Sequence, residues 1–425
     1  MSDSNNNSDN SVKSTIPKWI EAKLFESALK EAEPQFQSIE EFKIEPALAP
    51  GENYISLMLK AEFVIKLKDD SVKSVSFMLK VCNDSEVLRK MTKEHNVFDI
   101  EAGMYRDVVP ELEQILRSAG INARFGARTY SLPTEESYIL LENLKEYGFS
   151  NTNRLEGLDM PHIQSVLKKL AQWHAASAFR VVTKGKYADA YSKGYLKPES
   201  YEMFKEMYNN VAPIILDCIS QYSNFDVYYD QISKLMPQMT DELFKAVGIG
   251  AKEDDEEFKV LNHGDAWSNN IMFQYDEESG DISETYLVDY QIPLFTSPAQ
   301  DLWYLIMTSC KYEIKLDKFE EMIAFYHKHL DKYLRILKYP KKIPTLKDLH
   351  CMLLKHGVWA FSTAMNVMAI VLCDRTKDAN MDNFISETES GLAFKKLMYT
   401  NARYRKHMEA ILPWLLNRGL LECTQ

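Results

Sequence analysis

At 425 residues the chain has length for two or three average domains, or for one two-lobed enzyme. Hydrophobic residues at 45% and aromatics at 12% exclude an intrinsically disordered chain. A formal net charge of −12 argues against a general nucleic-acid binder, while leaving room for a nucleotide whose phosphates are met by a few lysines and a metal ion.

Six cysteines (Cys82, Cys218, Cys310, Cys351, Cys373 and Cys423) are scattered without a CxxC pair or a Cys/His cluster. Neither a zinc site nor a disulfide framework is expected, and a reducing cytosol is the natural compartment. The opening MSDSNNNSDNSVKS lacks the apolar run of a signal peptide. The most apolar stretch, GVWAFSTAMNVMAIVLCD, carries Ser362, Thr363 and Asn366 and reads as a buried helix rather than a membrane span.

In chain order, residues 1–15 form a low-complexity polar tail expected to be disordered. IPKWIEAKLFESALKEAE follows, with Trp19, Ile20, Leu24 and Leu29 at helical spacing. FKIEPAL, YISLMLKAEFVIKL and SVKSVSFMLKV then read as strands separated by the breakers PGEN and KDDS. A helical segment, SEVLRKMTKEHNVFDIEAGMYRDVVPELEQILRSAG, is expected to be interrupted at Pro110. ARTYSL and SYILLENL look like two further strands. From DMPHIQSVLKKLAQWHAASAF onward the pattern is helical, apart from a strand-like region around 260–296.

The fold class implied is α+β: a small antiparallel-sheet amino-terminal lobe with one main helix, and a large, mostly helical carboxy-terminal lobe. The expected boundaries are 1–15 for the tail, 16–143 for the first lobe and 144–425 for the second, with the join at Glu142–Leu144.

The chemistry concentrates in VLNHGDAWSNNIMF and, some twenty residues later, YLVDYQ. Asp265 stands five residues before Asn270, and Asp289 closes an apolar run. That is the spacing of protein-kinase-type phosphoryl transfer, in which one Asp orients the attacking hydroxyl while an Asn and a second Asp hold magnesium. Asp265 is therefore the candidate base, and Asn270 and Asp289 the candidate metal ligands. His263 is expected to brace the loop rather than shuttle protons, and Asp301, in SPAQDLWYL, to support it from the start of a helix. Trp173 and His174 read as core.

Such a site also requires a strand Lys some twenty residues before a helical Glu. Lys80 in SFMLKV and Glu101 in VFDIEAGMY fit, one meeting the ATP phosphates and the other holding its ammonium. PGENY offers only Gly51 as a phosphate-covering loop. VGIG at 247–250 lacks a third glycine and reads as a loop. GxSxG, HExxH and Walker A segments are absent from the sequence.

With these residues in hand, the chain resembles the insect ecdysteroid-kinase-like (choline-kinase-like) proteins, on the aminoglycoside-phosphotransferase and choline-kinase side of the protein-kinase-like fold. PGENYISLML, SFMLKV, VFDIEAGMY, YILLENL, KLAQWHAASAF, LVDYQIP and SPAQDLWYL occur in order. HGDxWxxNxxF is met by His263, Gly264, Asp265, Trp267, Asn270 and Phe273. The resemblance implies ATP and magnesium as cofactors, with adenine against Glu142, Asn143 and Leu144. It implies a small-molecule alcohol as acceptor, an ecdysteroid or a xenobiotic, and neither nucleic acid nor membrane as partner. Two alternatives stand beside this: a kinase for choline-like or xenobiotic alcohols, and a catalytically silent nucleotide-binding interaction module.

Overall fold

The computed structural model describes residues 16–47, 56–82, 96–250, 257–374, 376, 383–384 and 386–422; the tail 1–15 and Gly51 lie outside them. The chain divides into two compact units, one of Met1–Phe98 with Arg128–Asn143, the other of Asp99–Ala127 with Leu144–Gln425.

The first unit is built on one antiparallel sheet of strands β1 (Phe36–Pro46), β2 (Ser56–Leu67), β3 (Val72–Cys82), β4 (Thr129–Tyr130) and β5 (Tyr138–Glu142), in the order β1-β2-β3-β5-β4. Alternation along β2 sends Leu59, Ala61, Phe63 and Ile65 to one buried face, and β3 adds Phe77, Leu79 and Val81. Phe63 packs against Phe25 and Phe77, and Phe77 against Tyr130, with ring centroids 5.0, 6.1 and 5.0 Å apart. Phe25 comes from the short helical segment Ala22–Phe25 that leads into the Glu26–Ala32 helix, so the expected amino-terminal helix covers this face. Lys80 lies one residue out of phase with that core. It points to the other face of β3, between Met58 and Ile139, and is 4% exposed.

The second unit begins at Asp99, inside a helical run of Val97–Gly103, Met104–Val108 and Val109–Ser118. The break expected at Pro110 does not occur. The Met104–Val108 turn is widened to π form, with the Val109 N–H reaching back five residues to Met104. Pro110 then falls in the first turn of the segment that follows, where its missing N–H is tolerated. The Met160–Lys184 helix is the spine of this unit and is buried over most of its length. Its Trp173 Nε1–H donates to the Leu261 carbonyl at 2.6 Å, and its Ser177 hydroxyl accepts the Leu261 N–H at 3.0 Å. Both bonds hold strand β6 (Val260–Asn262), which pairs with β9 (Leu294–Thr296). Strands β7 (Ile271–Tyr275) and β8 (Ile282–Leu287) form a hairpin. The remainder is helical, including Ala299–Ser309 and Phe319–Ile336.

The apolar stretch around 357–374 is helical and largely buried, and no helix among the described residues is long and apolar enough to cross a membrane. No disulfide joins the described cysteines.

Candidate active site

The loop that follows β6 carries His263, Gly264 and Asp265, and its path is held by side chains rather than by regular structure. Asp301, third residue of the Ala299–Ser309 helix, is fully buried. Its Oδ2 accepts the His263 N–H at 2.7 Å and its Oδ1 the Gly264 N–H at 3.0 Å. His174 Nε2 donates to the same Oδ2 at 3.1 Å, while its Nδ1 lies 2.7 Å from the Tyr326 hydroxyl. Asn262 ties the helix back to the loop: its amide oxygen accepts the Asp301 N–H at 3.2 Å. Gln300 donates to the Gly264 carbonyl at 3.1 Å.

Gly264 has φ +87°, and a Cβ there would stand 2.0 Å from the Ile292 carbonyl oxygen, so both conformation and space demand glycine. His263 Nδ1 accepts the Asp265 N–H at 3.3 Å, and Nε2 donates to the Val288 carbonyl at 3.1 Å. This is the neutral imidazole, and burial lowers its pKa, with Asp301 and Asp289 opposing. A ring committed at both nitrogens braces the loop.

Asp265 carries three donors. Tyr304 gives its hydroxyl to Oδ1 at 2.5 Å, Asn270 gives Nδ2 to Oδ2 at 2.9 Å, and the Gln291 side chain donates as well. Burial above all, and then the charge of Asp289, push the Asp265 carboxyl up to about 7, while these three hydrogen bonds pull it down. A carboxylate tuned into that range suits proton acceptance near neutral pH.

The β7–β8 hairpin sets the other two groups. Ile271 pairs with Leu287, and the Val288 N–H donates to the Asn270 carbonyl at 2.9 Å, so Asn270 and Asp289 leave the same end of the ladder. Asp289 adopts φ +70°, a conformation that Asp tolerates better than most residues. Its N–H donates to the Tyr105 hydroxyl at 3.2 Å. Tyr105 in turn packs edge-on against Tyr290 at 5.2 Å, and Tyr290 stacks on Trp173 at the same separation.

Asp265, Asn270, Asp289, His263 and Asp301 are thus brought together within the second unit. Glu101 belongs to the same unit, 1% exposed; burial above all raises the pKa of Tyr105 and of Tyr195, and the charges of Glu101 and Asp289 add to it in both. Leu144 is buried there too, opening the Leu144–Tyr147 turn. Lys80, Glu142 and Asn143 belong to the first unit. Glu142 accepts the Arg128 N–H at 2.8 Å, and Asn143 donates to the Ser76 hydroxyl at 2.9 Å. Among the described residues no three His, Cys, Asp or Glu side chains form a metal-binding group. Any metal here would rest on one Asp, one Asn and the substrate's own oxygens, a donor set suited to magnesium.

Motif reading missed Tyr304, Asn262, Gln291 and the link from His174 to Asp301. One signal was available: Tyr304 follows Asp301 by three residues, which puts both on one helix face.

An antiparallel five-stranded sheet unit, a mostly helical unit and this loop–hairpin arrangement define a kinase-like protein. The model of the ecdysteroid kinase-like family matches residues 50–339. The chain belongs to that family, as its motifs led us to expect, and the match spans every candidate residue from Gly51 to Asp301. No curated protein matches it.

Proposed function

We propose that this protein transfers the γ-phosphoryl group of ATP to a hydroxyl of a hydrophobic small molecule, with an ecdysteroid the favoured acceptor class. The observation that carries this reading is the hydrogen-bond commitment of Asn270. Its Nδ2 donates to both the backbone carbonyl and Oδ2 of Asp265, at 3.0 and 2.9 Å, so its amide oxygen is the end directed away from the base. That oxygen and the Asp289 carboxylate are the groups that would hold magnesium. When bound, the ion would supply positive charge to offset the charge developing on the phosphates.

Asp265 accepts the proton of the attacking alcohol as the oxygen–phosphorus bond forms and the bond to the β-phosphate oxygen breaks, its electron pair leaving with ADP. Asp301 and His263 keep the loop in place and take no proton. Lys80 would steady the ATP phosphates, Glu101 would hold its ammonium, and the Gly51 loop would cover the phosphates. Glu142, Asn143 and Leu144 would flank adenine. The acceptor class comes from the family's name and from the tyrosines of YADAYSKGYL and YEMFKEMYNN in the helical unit, and the proposed compartment is cytosolic.

Calorimetric titration with ATP tests the metal arrangement. Binding should need magnesium, and Asp289→Asn should weaken magnesium dependence at least tenfold. Equal ATP affinity with and without magnesium would count against the reading.

A further inference from the structure

The Ala299–Ser309 helix touches the loop in two ways. Asp301 fixes its backbone, and one turn later Tyr304 reaches the side chain of Asp265 itself. Tyr304 is 8% exposed, and burial first, then the charge of Asp265, keeps its hydroxyl protonated, so it donates to the ionised Asp265 carboxylate in this contact. Asp265 thereby has a different donor on each oxygen: Tyr304 on Oδ1 and Asn270 on Oδ2. The terminal torsion of an aspartate is otherwise broad and nearly two-fold. Donors on both oxygens stop that rotation. A stationary carboxylate keeps one remaining lone pair aimed at a single point, which a base needs if the acceptor hydroxyl is to meet it in line with the phosphorus.

We propose that Tyr304 is a positioning residue for phosphoryl transfer, acting through Asp265 by locking its carboxylate. This inference rests on Asp265 being the base. The ring of Tyr304 packs in the core whether or not the hydroxyl is present, so Tyr304→Phe removes the hydrogen bond and leaves the packing.

The test measures ADP release and product formation from Mg·ATP with ecdysone as probe alcohol, and with water alone, for the wild type, Tyr304→Phe, Asp265→Asn and the double variant. Melting temperatures and ATP affinity are recorded beside them. A hydrogen bond to a charged group lost from the transition state corresponds to a fall in kcat of roughly 10–100-fold. The expected result is such a fall in Tyr304→Phe, with KM for ATP and melting temperature unchanged, and no further loss when Tyr304→Phe is added to Asp265→Asn. A kcat within fivefold of wild type overturns the inference, as does a fall matched by lost ATP affinity and stability, or losses that multiply in the double variant. Wild-type turnover that survives Asp265→Asn overturns the assignment of the base instead.

Discussion

Asn270 spends both hydrogens of its side-chain amide on Asp265, one on the backbone carbonyl at 3.0 Å and one on Oδ2 at 2.9 Å. The five-residue spacing seen in the sequence is therefore a closed hydrogen-bonded turn. It orients the Asp265 carboxylate and presents the amide oxygen in one stroke. The adjoining short turn Ser268–Asn270 and the Asn270 N–H, which donates to the Trp267 carbonyl at 2.8 Å, keep the two residues in register.

Keeping the Asp265 carboxylate ionised in this buried place costs the fold stability. Its carboxyl is raised to about 7 from an unfolded value of about 3.9. A raised acid adds stability that is complete below the unfolded value and lost as pH rises through the folded one. The stability advantage of Asp265→Asn over wild type should therefore be larger at pH 8 than at pH 4.5, by on the order of 3 kcal/mol, while turnover falls about 10²–10⁴-fold. Scanning calorimetry at the two pH values checks the first part; an advantage that is larger at acid pH contradicts it.

Gly264→Ala meets the Ile292 carbonyl and forces alanine to φ +87°. A loss of about 2–4 kcal/mol in unfolding free energy is expected, with turnover falling further than stability because Asp265 is the next residue. Urea denaturation alongside a rate assay reads both.

Much of the fold could be read directly from the residues. Alternation in SLMLKAEFVIKL and SVSFMLKV spells β2 and β3, and the apolar spacing of the Met160–Lys184 segment spells a buried helix. The π-turns at Met104–Val108 and Thr363–Val367 could not be read, because packing around the helix, not local propensity, selects an i−5 bond. For the site, the spacing of Asp265, Asn270 and Asp289 was legible because one loop and one hairpin carry all three. Tyr304 and His174 were not. They lie 39 and 91 residues from Asp265 in sequence, and a buried Tyr or His looks the same whether it packs or donates.

Lys315 is a buried cation outside the site. It is 1% exposed, with Nζ donating to the Met307 carbonyl near the end of the Ala299–Ser309 helix and lying 3.5 Å from the Met368 sulfur. Burial lowers its pKa to about 8, against about 10.4 when unfolded. A depressed lysine adds stability above its unfolded value and loses it as pH falls through the folded one. Wild type should therefore gain stability relative to Lys315→Met between pH 8 and pH 10. Paired thermal melts across that window test it, and a difference that stays flat contradicts the burial argument.

Asp301→Asn replaces a buried acceptor of three hydrogen bonds by a group that cannot accept them all. Unfolding free energy should fall by about 3–5 kcal/mol, and turnover should fall with it. Loss of turnover with full stability would assign Asp301 a direct chemical part instead.

The most direct measurement of the central claim is phosphate transfer by purified protein with Mg·ATP across ecdysteroids, sterols, choline and plant alcohols, with Asp265→Asn as control. The account predicts a phosphorylated alcohol whose formation needs magnesium and disappears in the control. No product from any alcohol, together with no magnesium-dependent ATP binding, would contradict it.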